Sequence, residues 1–175
     1  VAAAVPASPG FVEIFNFDDS SGVVSDPIKF EFPNEAPYGV EFSPDNEKLY
    51  ISTSSGLYQY HVNDTLTTEE VIASKKPLDT GGVSNLGALQ LGPNGQIYLA
   101  VDGSTDLLVL NGPNTLETDT SHVSISPFSL LSPDKPGSNV TSRLGLPNFV
   151  QSIMEPLSDG DFDFQGQCFG DQTEF

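Results

Sequence analysis

Apolar and polar residues alternate at a spacing of two along much of this chain: Val40 and Phe42, Leu49 and Ile51, Leu89 and Leu91, Ile97 and Leu99, with Ile14 beside Phe15 and Phe17. Successive side chains of a strand point to opposite faces, so this period predicts strands bounded by turns. Glycine (16) and proline (14) recur so often that no window of about eleven residues keeps an unbroken helical period. The expected fold is all-β.

The alternation itself repeats. "YGVEFSPDNEKLYISTSSGLYQYHVND" (Tyr38–Asp64) aligns with "GALQLGPNGQIYLAVDGSTDLLVLNGPN" (Gly87–Asn114), pairing Pro44 with Pro93, Tyr50 with Tyr98 and Tyr60 with Leu110 at offsets of 49, 48 and 50 residues. Such a period is that of a repeat architecture. Each unit reads as strand, tight turn, strand, short loop, third strand and a ragged fourth, placed at Glu69–Ser74 in the first unit and His122–Phe128 in the second. In the tight turn proline fixes φ, Asp or Asn bonds nearby backbone, and Gly95 takes a positive φ, with Asn46 in the same strained place one unit earlier. Four antiparallel strands in ~40 to 50 residues are the signature of a β-propeller blade, whose faces are buried against neighbouring blades.

Further units are partial. "FVEIFNFDD" (Phe11–Asp19) aligns with "GLYQYHVND" (Gly56–Asp64) as a third strand, with Val1–Val5 as the tail of a second, and "SRLGLPNFVQS" (Ser142–Ser152) resembles the start of a unit, "SNLGALQLG" (Ser84–Gly92). The expected organisation is a propeller segment over 1–154, with blades near 1–35, 36–80, 84–130 and a partial one at 142–154. A linker at 155–160 and the first strand of a β-sandwich-like module at 161–175 follow. Closed propellers hold typically 4–8 blades, so about two complete blades imply a fragment of a larger propeller, completed by the rest of the same polypeptide. "SPDKPGSN" reads as a long surface loop.

"PYGVEFSPDNEKLYIST", "LYQY", "SNLGALQLGPNGQIYLAVDGS", "GLPNFVQS" and "CFGDQTEF", in that order, resemble the propeller region of large surface proteins of gliding bacteria. These are type 9 secretion system cargo, often described as gliding-motility-associated proteins. The resemblance implies export to the cell surface and an immunoglobulin-like, PKD-like repeat opening at "CFGDQTEF". It also bears on Thr65, because "DTL" (Asp64–Leu66) is similar to the O-glycosylation signal of this bacterial group.

Charge narrows the partners. Twenty-four acids against six bases give a net charge of −18, and only Lys75 and Lys76 adjoin, so no basic stripe exists to neutralise nucleic-acid phosphates. No apolar run approaches the ~20 residues of a spanning helix, and Val1–Pro6 lacks the charged start of a signal peptide, so direct membrane insertion is not expected. The single Cys168 excludes an internal disulfide framework and a four-cysteine zinc site; a disulfide within the following module is its expected fate.

Catalytic constellations are not assembled by spacing. Asp18-Asp19, Glu69-Glu70 and Asp45 with Glu47 read as solvated turn or edge charge, since neighbours in a strand point to opposite faces. "DGDFDF" lacks the glycine and glutamate of a calcium-binding EF-hand loop, having Phe164 and Gly170 there, and the acidic surface leaves room only for weak calcium binding. His61 aligns with Asn16 and Asn111 in a repeated polar slot of structural character, and His122 is the only other histidine. No nucleophile elbow, histidine pair for zinc or phosphate-cradling loop is present. "NDT" at Asn63 and "NVT" at Asn139 would be glycosylation sequons only in a eukaryotic route.

Loops between second and third strands and between blades form the face where a propeller binds. Tyr38, Asn85, Asp102 and Arg143 fall there, an aromatic platform, an amide, a carboxylate and a cation suited to a sugar or peptide. The expected function is a non-catalytic scaffold or binding module of a secreted, adhesin-like surface protein contacting a polysaccharide or an envelope protein. No catalytic residues, metal or cofactor are expected. The alternatives are a polysaccharide-degrading propeller lyase or hydrolase and an accessory subunit of an outer-membrane complex.

Overall fold

The computed structural model describes residues 2–5, 9–63, 65–115, 124–130 and 140–146. Eleven strands and one short helix are present there: β1 (Ala2–Val5), β2 (Gly10–Asp18), β3 (Val23–Phe32), β4 (Pro37–Phe42), β5 (Lys48–Thr53), β6 (Leu57–His61), α1 (Thr68–Ala73), β7 (Lys76–Leu78), β8 (Leu86–Leu91), β9 (Ile97–Val101), β10 (Asp106–Asn111) and β11 (Ser124–Ser129). They form three antiparallel sheets, each ordered along the chain: β1-β2-β3, β4-β5-β6-β7 and β8-β9-β10-β11. The all-β expectation holds.

Strand register reproduces the repeat. In the second sheet Glu41 faces Tyr50 and Leu49 faces Tyr60; in the third Gln90 faces Tyr98 and Ile97 faces Leu110. These are the residues that the sequence alignment pairs. Both first strands also break register at the same place, between Pro37 and Val40 and between Leu86 and Leu89. At the tight turns Asn46 and Gly95 have φ of 59° and 74°, so the left-handed residue falls where proline-directed turn chemistry places it. A residue slipped by one position would turn each strand inside out, and so a shared register is a shared choice of buried face.

The second sheet is covered on both faces. Leu49, Ile51 and Tyr60 pack with Val12, Phe30 and Phe32 of the first sheet, whereas Tyr50 and Leu57 pack with Leu89, Ile97, Leu99 and Leu110 of the third. That is why every residue of β5 is buried: alternation still sorts the side chains, but to two apolar faces. Each fully buried Leu or Ile is worth roughly 1.5–3 kcal/mol relative to exposure. Where the sheets stack, the first strand of a unit lies against strands of the unit before it. β1 lies against β4, and β4 against β8; Gly39 abuts the Gly87 carbonyl and the Leu89 amide, while the Leu91 N–H donates to Glu41 Oε2 at 2.9 Å. The two strands therefore advance in the same direction.

One expectation fails. Glu69–Ser74 is not a fourth strand: residues Thr68–Ala73 form α1, and the fourth strand of that sheet is β7, shifted to Lys76–Leu78. Thr67 and Glu70 make a reciprocal capping box, and Val71 is the residue the helix buries. Local capping thus outweighs edge pairing, because the box satisfies two orphan amides that a ragged edge strand would leave to water. Glu69 and Glu70 sit in its first turn, where acidic groups favour the helix dipole. The second unit's fourth strand, β11, lies close to its expected position. Residues 147–175, with Cys168, the linker and the following module, and also His122 and Asn139, lie outside the described residues.

Candidate functional site

The sequence-derived site residues sit where β4 and β8 begin and β5 and β9 end. Asn85 precedes β8 in the left-handed region, with φ of 58°. Its N–H donates to the Ser54 carbonyl at 3.0 Å, and its own carbonyl accepts from the Asp102 N–H at 3.1 Å. This clamps the β5–β6 loop and the end of β9 to the entry of β8. The first of these two bonds has a counterpart one unit later. There the Ser142 carbonyl accepts from Gly103 N–H at 2.9 Å, and the Ser142 N–H donates to Ser104 at 2.7 Å. Arg143 is thereby brought to Asp102, with Nη1 3.7 Å from Oδ1.

Three of the four residues therefore form one cluster. Tyr38, on β4 at the same end, is 41% exposed; among the described residues no hydrogen bond or ring contact joins it to the other three. The Arg143 and Asp102 side chains are 81% and 42% exposed, so their attraction is screened and leaves both groups open to a ligand. Chemically the cluster offers a guanidinium fork, a carboxylate and an amide on a surface, which can bridge hydroxyls or peptide groups.

Thr65 is exposed at the tip after β6. Its N–H and hydroxyl both donate to Asn63 Oδ1, at 2.9 and 2.6 Å, in an Asx turn. Asp64 lies outside the described residues. The repeated polar slot that holds His61 ties third strands to whatever follows: Asn16 Nδ2 reaches Asp26 on β3 at 3.5 Å, the His61 N–H reaches Ser74 Oγ at 2.8 Å, and Asn111 Nδ2 reaches Ser126 Oγ on β11 at 3.1 Å.

Sequence reasoning passed over a second cluster. The Tyr58 hydroxyl donates to Glu35 Oε1 at 2.7 Å, Glu35 Oε2 is buried with no hydrogen-bond partner among the described residues, and Lys75 Nζ lies 3.9 Å above the Tyr58 ring and 4.6 Å above that of Phe32. Burial, then the bond to Glu35 and its charge, push the Tyr58 phenol up to about 12, so it stays a donor at all ordinary pH. No local motif links these positions; the β3–β4 connection brings them together. Among the described residues no three His, Cys, Asp or Glu side chains converge as a metal site, and no helix is long and apolar enough to cross a membrane. No protein-family model matches the chain, and no curated protein matches it.

Proposed function

We propose that the sheets are consecutive blades of a β-propeller and that the chain is a non-catalytic scaffold or binding module of a large secreted surface protein, contacting a polysaccharide or an envelope protein. The observation that carries this reading is the shared register of the second and third sheets, bulge included, together with parallel first strands side by side. Sheets related in this way bury what a single sheet would leave exposed, and their loops gather at two ends. The exposed Asp102–Arg143 pair with Asn85, and Tyr38 at the same end of the sheets, supply the binding end. Thr65, exposed in its turn, is the modification site of this reading. A cluster this exposed fits contact with a polymer chain better than capture of a small substrate.

The test is binding of purified chain to a panel of immobilised envelope polysaccharides and outer-membrane protein fractions. Asp102→Ala with Arg143→Ala is expected to weaken binding at least tenfold while leaving the melting temperature within the range of a surface substitution. Asn85→Gly keeps the left-handed backbone and removes only the amide. Undiminished binding by the double variant contradicts the site.

A further inference from the structure

At the opposite end, where β4 turns into β5 and β6 ends, the first and second sheets part to leave a cleft of about 180 Å³. Its floor includes Ile28 and Phe42, and its rim carries Asn16, Asp26, Asn46 and Asn63. Two of these rim residues are held in backbone conformations that side chains disfavour: Asp26 has φ of 51° and Asn46 of 59°.

At Asp26 the strain comes from a bulge in β3. Ile14 pairs with Ile28 but Asn16 pairs with Ser25, so Asp26 and Pro27 together oppose Phe15. Bulges of this kind re-aim a side chain, and they gather beside functional sites. At Asn46 the turn requires a positive φ, yet the equivalent position of the next unit is Gly95, which meets the same requirement with no side chain. The amide at the rim is thus an addition to the turn rather than a condition of it. Asp26 Oδ2 accepts from Ser25 Oγ at 2.8 Å and from Asn16 Nδ2 at 3.5 Å, an arrangement that orients the carboxylate. The Asn46 side-chain amide has no hydrogen-bond partner among the described residues, its backbone N–H donating to the Ser43 carbonyl at 2.9 Å.

We propose that this cleft binds one neutral pyranose unit of a polysaccharide. Amides and a carboxylate around an apolar and aromatic floor match a sugar's vicinal hydroxyls and its C–H face. A net charge of −18 repels uronates and sulfate esters, which leaves the neutral sugars. The choice of ligand class rests on the polymer-binding reading above; the location of the cleft does not.

Isotope-labelled chain titrated with methyl glycosides of neutral hexoses, with glucuronate as the charged control, tests the proposal. The expected result is amide shifts confined to residues 14–16, 26–28, 42–46 and 62–63, and weaker binding of glucuronate. Asp26→Gly and Asn46→Gly are expected to weaken hexoside binding at least tenfold each without lowering Tm, because glycine takes positive φ freely. Failure of every neutral glycoside to shift these amides overturns the assignment, as does unchanged affinity in the double glycine variant or glucuronate bound as tightly as the hexosides. If the chain still binds polysaccharide through Asp102 and Arg143, only the cleft assignment falls; if it binds no carbohydrate in either assay, the polysaccharide reading falls too.

Discussion

Gly39 and Gly87 each lie within the bulge of a first strand, where an added side chain would meet backbone rather than a yielding side chain. A Cβ on Gly39 would stand 2.6 Å from the Gly87 carbonyl oxygen and 2.8 Å from the Leu89 nitrogen, and one on Gly87 would collide with Leu144 backbone. Gly39→Ala is therefore expected to cost about 1–3 kcal/mol, or more if the strands must part. Gly145→Ala, with open space around it, is expected to stay within ~0.5 kcal/mol. Urea midpoints decide; equal midpoints for the two variants contradict the close approach. At the β2–β3 turn, the Ser21 and Ser20 hydroxyls and the Ser20 amide hold the exposed Asp18 carboxyl down at about 2. A lowered carboxyl favours the ionised folded form, so its contribution is present above the ordinary value of 3.8 and fades as pH falls through about 2. Carboxyl NMR of Asp18 is expected to give a midpoint near 2, and a midpoint near 3.8 contradicts the capped turn. Positive φ at Asn46 and Gly95 was legible in the sequence because turn chemistry is local; the reason for Gly39 was not, because its neighbour belongs to another sheet.

Elements show the same division. Period-two spacing located β4, β5, β8 and β9, and the registers of the two sheets repeat as the aligned units do, since each unit's pattern fixes which face turns inward. It missed α1. "TTEE" (Thr67–Glu70) is a capping-box sequence, but the six-residue helix it starts is shorter than any window over which a helical period can be read. Thr67→Ala is expected to lose about 1 kcal/mol and to speed amide exchange at Val71 and Ser74, whose N–H groups bond within this turn. Protection in β4–β6 should not change. Unaltered exchange at Val71 would mean the cap does not hold the helix. The cleft at the β3 bulge was equally hidden: its rim comes from β2, β3, the β4–β5 turn and the end of β6, and no spacing along the chain joins them.

Across the whole molecule the sheets are joined by polar contacts as well as by apolar faces. The Tyr50 hydroxyl, fully buried, donates to the Pro113 carbonyl at 2.6 Å and accepts from Gln59 Nε2 at 2.9 Å, and Gln59 also reaches the Thr115 carbonyl at 2.7 Å. Tyr50→Phe leaves buried partners unpaired and is expected to cost about 1–3 kcal/mol. Tyr98 occupies the equivalent place in the third sheet, where its hydroxyl accepts from the exposed Asn94 at 3.1 Å; Tyr98→Phe is expected to stay within ~0.5 kcal/mol. Similar losses for both would show that the second-to-third sheet contact contributes nothing particular. Of the candidate site, the sequence yielded the cluster of Asn85, Asp102 and Arg143 because all three belong to repeat loops; the Asp102–Arg143 pairing itself depends on how one unit docks on the next.

Docking of β4 beside β8 in parallel is the feature on which the repeated stacking of the sheets rests. Its most direct measurement is the nuclear Overhauser contact between the Gly39 Hα protons and the Leu89 amide proton in labelled protein. The account predicts a strong cross-peak there, and a second between Gly87 and Leu144, because each glycine presses on the next segment's backbone. Absence of both cross-peaks, with β4 showing close contacts to some strand other than β1, β2, β5 and β8, would contradict it.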